Sequence, residues 1–198
     1  MYLGLIRVAS LESAPADGKT RTEDESVWYV KGIDFEKVQS LAISSELQEQ
    51  YNIPANNGMV RVRRIDGGTC VQTTKSWVPG EKGKKECEIE VPTTMFDMFA
   101  DICPNGMIKR RFKIPTTEAT EGDAPVLEVD IYFENHEPDG QPAAWCKIDY
   151  EYGALPDGYE WPFEFEEILV DTPHNRTEEL KAKVGEIMDN YLVKKNSA

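Results

Sequence analysis

Residues 126–133 read VLEVDIYF, and their alternation decides the fold. Side chains of an extended strand point to opposite faces in turn, so Glu128 and Asp130 share one face. Leu127, Val129, Ile131 and Phe133 take the other. The same two-sided pattern recurs on both sides of this stretch. In MIKRRFKI (107–114), Lys109, Arg111 and Lys113 oppose Ile108, Phe112 and Ile114. In WCKIDYEY (145–152), Lys147, Asp149 and Glu151 oppose Ile148, Tyr150 and Tyr152. Further segments of this period are 23–31 (EDESVWYVK), 59–65 (MVRVRRI), 70–77 (CVQTTKSW) and 86–91 (ECEIEV). Arg61 and Arg63 share a face, as do Thr73 with Lys75, and Glu86 with Glu88 and Glu90.

Short strands separated by polar, Gly- and Pro-rich stretches at 12–22, 79–85, 115–125 and 134–143 predict an antiparallel sheet or barrel. Further strands are expected at 3–9 and 164–170. Three helices are expected. Residues 34–42 start from an Asp34 cap. Residues 93–103 carry a Met95, Phe96, Met98, Phe99, Ile102 stripe after a Thr cap. Residues 177–192 carry Leu180, Val184, Ile187, Met188 and Leu192 on one face. The absence of repeats or a long linker predicts one domain over 1–198, α+β in class.

A sheet with its charged side in water accounts for any single strand equally well. Two features favour an enclosed charged face. Acids and bases are sorted by strand, and they alternate with little Ser, Thr or Gln between them. A barrel so lined turns its apolar face outward, and the amphipathic helices are available to cover it. The chemistry of such a lining is specific. Arg and Lys form charge-assisted hydrogen bonds to phosphate oxygens, and paired carboxylates bind hard divalent cations.

Composition narrows the partners. Hydrophobic residues make up 40% and charged residues 29%, an ordinary globular mixture. The net charge of -14 argues against a general nucleic-acid surface, while leaving room for a local basic pocket. Cys70, Cys87, Cys103 and Cys146 form no CxxC pair and read as buried free thiols. No leader or membrane-length apolar run is visible, so an intracellular, cytoplasmic location without membrane association is expected. Trp145 and Trp161 are expected on the outside or rim. His136 and His174 read as loop residues. Oligomeric state is open between monomer and homodimer.

The order of these segments resembles the CYTH superfamily, the triphosphate tunnel metalloenzymes, over about residues 22–181. Glu23 and Glu25 fit its opening ExExK strand, with Val27 at the lysine position. ELQEQYNI (46–53) leads to the RxR strand of Arg61 and Arg63. Lys75 is similar to the lysine of the next strand. Glu88 and Glu90 match an ExE strand before a helix, and Lys109 with Arg111 matches the K-x-R strand after it. Glu128 and Asp130, then Asp149 and Glu151, match two later acidic strands. Glu167 and DTPHNRTEEL (171–180) are similar to the final strand and its turn into a helix.

The resemblance implies a closed eight-stranded antiparallel tunnel with covering helices, working with Mg²⁺ or Mn²⁺. It implies that Arg61, Arg63, Lys75, Lys109 and Arg111 bind the triphosphate. Glu23, Glu25, Asp149 and Glu151 would hold metal. Glu128 and Asp130 would assist the metal or order the basic side chains. Glu23, Glu25, Lys75, Glu88 and Glu90 would form the catalytic set. Three functions follow as expectations: hydrolysis of inorganic, thiamine or nucleoside triphosphate, a nucleotide cyclase or lyase, and a non-catalytic nucleotide binder. Val27 and the enlarged loops motivate the third.

Overall fold

The computed structural model describes residues 19–23, 25–76, 84–103, 105–116, 125–133, 141–172, 178–189 and 193–194. The elements in chain order are β1 (Lys19–Glu23), β2 (Ser26–Lys31), α1 (Phe35–Leu41), β3 (Ser44–Ala55), β4 (Gly58–Ile65), β5 (Cys70–Ser76) and β6 (Lys84–Glu90). They continue with α2 (Thr93–Ile102), β7 (Asn105–Pro115), β8 (Val126–Phe133), β9 (Pro142–Tyr150), β10 (Glu167–Thr172), α3 (Glu178–Asp189) and β11 (Val193–Lys194). All strands join one sheet, in the order β1-β6-β5-β4-β3-β7-β8-β9-β2-β10, with β11 pairing β7. The pairings are antiparallel throughout.

Two expectations need correction. Among the described residues no ladder joins β1 to β10, so hydrogen bonds do not close the sheet, and its path holds ten strands where eight were expected. The stretch 23–31 is not one strand. It breaks between Glu23 and Ser26, and its two halves pair with opposite ends of the sheet: β1 with β6, β2 with β9 and β10.

That break nevertheless fixes the curvature. In a flat sheet, strands eight places apart would lie about 38 Å from one another. The three peptide steps from Glu23 to Ser26 reach at most about 11 Å. The sheet therefore curls until β1 comes back beside β2, and one of its faces becomes concave.

The apolar side of the strands is convex and covered in two places. Phe112, Val129, Ile131, Cys146 and Ile148 pack under α1, through Phe35 and Val38, and under the aromatic segment holding Trp161, Phe163 and Phe165. Val62, Cys70 and Tyr51 pack under α2, with Phe96 fully buried between them. Asp34 caps α1 as expected, its Oδ1 accepting from the Lys37 N–H at 2.9 Å. α2 differs from expectation: Pro92 occupies its cap position and no side chain caps it. Proline at that point stops the preceding strand, which is what starts the helix there.

A third apolar cluster lies on the charged side. Val27, Tyr29, Met107, Tyr132 and Trp145 meet Val184, Ile187 and Met188 of α3. Trp145 thus faces inward, contrary to expectation, because it shares parity with Lys147 and Asp149. Trp161 lies outside, edge-on to Trp28 at 5.3 Å. The stretch 46–53, which the resemblance reads as the approach to the RxR strand, lies within β3, the longest strand of the described sheet. The expected loop at 12–22 overlaps β1. The strand expected at 3–9, His136 and His174 lie outside the described residues. The four cysteines are free thiols. No described helix is long and apolar enough to cross a membrane.

Candidate functional site

Cross-strand register assembles the concave face. Arg61, Thr73 and Glu88 stand side by side across β4, β5 and β6. Arg111, Asp130 and Lys147 do so across β7, β8 and β9, as do Lys113, Glu128 and Asp149. Gln50 lies opposite Arg63, and Gln48 opposite Lys109. Arg63, Lys109, Arg111, Glu128, Asp130 and Asp149 are all buried, and Asp130 is 0% exposed. Among the described residues α3 is the helix that packs on this side, and the strands bury each other's charges there. Arg111 reaches Asp149 two strands away at 3.5 Å, and Arg63 reaches Glu88, also two strands away, at 3.8 Å.

The five cations expected to bind phosphate divide into two groups. Arg111 and Lys109 are already compensated. Arg111 donates from Nε and Nη2 to the two oxygens of Asp130, at 2.7 and 2.8 Å, and from Nη1 to Glu128. Lys109 donates to Asp130. Burial works against the charge of Arg111, but Asp130, Glu128 and Asp149 outweigh it and raise its pKa well above the ordinary value. Burial likewise opposes ionisation of Asp130, and Arg111 with Lys109 overcomes it, so this carboxyl stays far below the usual range. Lys109 is held well below its ordinary value by burial first and then by Arg111, with Asp130 only partly restoring it. Lys75 pairs with the buried Glu86 at 2.5 Å.

Arg61 and Arg63 make the second group. Arg61 donates to the Thr73 hydroxyl at 3.1 Å and lies 3.5 Å from Glu88. Thr73 in turn donates to Glu88 at 2.7 Å, so one carboxylate, its side chain 40% exposed, serves two guanidiniums. The Nε atoms of both arginines are buried without an acceptor. Arg63 is lowered to about 10, by burial first and then by Arg61 and Arg111. Among the described residues, Arg61 and Arg63 thus have one shared ion-pair partner, Glu88.

The acidic residues also divide. Asp130 is committed to Lys109 and Arg111, and Glu128 to Arg111 and Lys113, so both order the cations. Burial raises the Glu128 carboxyl, Arg111 offsets part of this, and Glu151, Asp130 and Asp149 add to it. Asp149 accepts from Lys147 at 2.5 Å on Oδ2, while its Oδ1 is buried without a donor. Asp149, then Tyr29 and Glu25, outweigh burial and keep Lys147 more basic than usual. Glu25 and Glu151 are half-buried beside this group. Glu90 is exposed at the end of β6. Glu23 stands in register with Lys84 on β1.

The second acidic group carries oxygens of the kind a hard cation takes, although Lys147 and Arg111 already pair with Asp149. Asp149 Oδ1 is a buried oxygen lacking a partner, and Glu25 and Glu151 add carboxylates nearby. Among the described residues no three His, Cys, Asp or Glu side chains already converge as a preformed cluster. Sequence reasoning puts Lys147 and Glu86 on charged strand faces without assigning them to the site, and it misses Gln48, Gln50 and Asn52. Parity was the signal available for all five.

No family model matches the chain, and no curated protein matches it. Among solved structures it is similar to the inorganic triphosphatase NE1496, at 16% identity over 74% of this chain and 88% of that one, with a TM-score of 0.38. It is also similar to a candidate adenylate cyclase from Bacillus halodurans, at 12% identity over 90% and 96%, with a TM-score of 0.43. A third similar structure is the PH1819 protein from Pyrococcus horikoshii, at 16% identity over 87% and 94%, with a TM-score of 0.38.

Proposed function

We propose that the concave face binds a triphosphate-bearing small molecule and, with a divalent cation, hydrolyses it. One observation carries this reading: the Nε donors of Arg61 and Arg63 are buried without an acceptor, and among the described residues the two guanidiniums share Glu88 as their ion-pair partner. A polyanion supplies the missing acceptors and charge. Guanidiniums fork across phosphate oxygens, which suits them to a chain of phosphoryl groups. Lys109 and Arg111 extend the basic surface, held in place by Asp130 and Glu128. Lys75 is held by Glu86.

Asp149, Glu25 and Glu151, with Glu23, are the residues that would hold Mg²⁺ or Mn²⁺. When bound, such a cation neutralises charge on the phosphate oxygens and lowers the pKa of bound water. The residues of the chain bind and orient the phosphates, and the curled sheet limits access of bulk water to them.

A binding-only reading has its own support. Val27, 1% exposed and in register with Asp149, places an apolar side chain beside the acidic group. Incubating the full chain with tripolyphosphate, thiamine triphosphate and nucleoside triphosphates plus Mg²⁺ or Mn²⁺ separates the two. Orthophosphate release that disappears in Arg61→Ala supports hydrolysis. Binding of a triphosphate with no release from any member of the panel rejects hydrolysis and leaves the binder.

A further inference from the structure

Between the two basic groups, β3 places three neutral amides on the concave face. Tyr51 packs outward on Phe96, so Gln48, Gln50 and Asn52, of opposite parity, turn inward. Gln48 stands opposite Lys109, Gln50 opposite Arg63, and Asn52 opposite Arg61. Gln48 is 0% exposed and Gln50 5%. The side-chain oxygens of all three are buried and accept no hydrogen bond. Gln48 cannot simply turn its amide over, because its Nε2 donates to Glu46.

Buried acceptors without donors are rare and costly, and three in a column call for a common partner. Their surroundings restrict what that partner is. A metal ion would sit against Arg61, Arg63 and Lys109 and be repelled. A phosphate oxygen would meet the negative end of each carbonyl dipole. A neutral N–H or O–H donor suffers neither penalty.

We propose that Gln48, Gln50 and Asn52 read the organic part of the substrate, which makes this chain selective for a triphosphate ester carrying N–H or O–H donors over inorganic triphosphate. A nucleoside, with ring amines and ribose hydroxyls, is the representative class. This rests on the triphosphate-binding reading above and deepens it.

Calorimetric titration of the full chain with tripolyphosphate, the four common ribonucleoside triphosphates and thiamine triphosphate tests it. Two variants are compared with the wild type: Gln50→Met, which keeps the side-chain volume, and Asn52→Leu at a less buried position. The expected result is tighter binding of at least one ester than of tripolyphosphate. That preference falls by about tenfold when acceptors are lost in either variant. Tripolyphosphate binding as tightly as every ester overturns the selectivity and leaves triphosphate binding intact. A preference that both variants retain overturns the role of the amides. Absence of binding by any compound to the wild type removes the triphosphate reading and this inference with it.

Discussion

Arg63 is the residue that tests the proposed function most sharply, because its charge is buried near two other guanidiniums and its ion pair among the described residues, at 3.8 Å, is with a carboxylate it shares with Arg61. Hydrogen bonds to charged groups are worth about 1.5–3 kcal/mol each, so Arg63→Met weakens tripolyphosphate binding by roughly 10- to 100-fold, measurable by calorimetry. Lys109 offers a pH signature. Burial and then Arg111 lower its pKa, and an arriving polyanion raises it again. Binding on the alkaline side therefore takes up a proton, seen as a dependence of binding heat on buffer ionisation enthalpy, and Lys109→Met removes that uptake. Equal heats in all buffers would contradict it. Asp130 works in the opposite sense. Its folded pKa lies below the ordinary 3.8, so its stabilising contribution is present above that pH and is lost as the pH falls through the folded value. Asp130→Asn removes the carboxylate that Lys109 and Arg111 share, leaving Arg111 to Glu128 and Asp149, and destabilises by about 3–5 kcal/mol in urea melts at neutral pH, the gap narrowing below about pH 4. A gap that stays constant with pH would sink this assignment. The alternation of Lys, Arg, Glu and Asp made these residues visible in the sequence. The division of the cations into compensated and uncompensated groups was not visible, because it depends on which strands become neighbours. The amides of Gln48, Gln50 and Asn52 carry no charge, so an alternation of charges does not mark them.

Elements were legible where alternation paired apolar with charged residues, as in β7 and β8, and illegible where it did not. β3 runs SSELQEQYNIPA, with polar residues on both faces and a Pro near its end, so nothing in it has the two-sided pattern of a half-buried strand. Only its position between β4 and β7 makes it a central strand. Likewise 23–31 reads as one continuous strand, yet the chain changes partners after Glu23. Two sites test the packing of elements. Gly58 lies against the backbone of β5, where an added Cβ would come 2.2 Å from the Lys75 carbonyl oxygen. Neither backbone can yield without shifting the ladder, so Gly58→Ala costs about 1–3 kcal/mol and displaces Lys75, lowering triphosphate affinity as well as stability. Phe96 anchors α2 through an edge contact with Tyr51 at 5.6 Å and lies 4.4 Å under the Arg64 guanidinium. Phe96→Ala lowers unfolding free energy by about 3–5 kcal/mol, while leaving the charges of the concave face in place. If triphosphate binding were lost in proportion to the whole stability change, the separation of convex scaffold from concave site would be wrong.

At the scale of the molecule, the fold places its apolar surface outward under α1, α2 and the 155–165 segment, and gathers its charges within. The sequence motifs pointed to a closed barrel of eight strands. Among the described residues the hydrogen bonds give an open path of ten, and the curl is imposed by the short step from β1 to β2. Motif order carries no information on ladder closure, which depends on a two-residue break inside a stretch that reads as regular. Charge convergence survives that difference, because curvature is enough to bring β4, β7 and β9 to face one another. The most direct test is titration of the wild type and an Arg61→Ala/Arg63→Ala double variant with tripolyphosphate, without metal and at low salt. One tight site per chain in the wild type, lost in the double variant while the fold persists by circular dichroism, is the predicted result. Equal binding by both proteins, or none by the wild type, would contradict a buried, anion-deficient face as the seat of function.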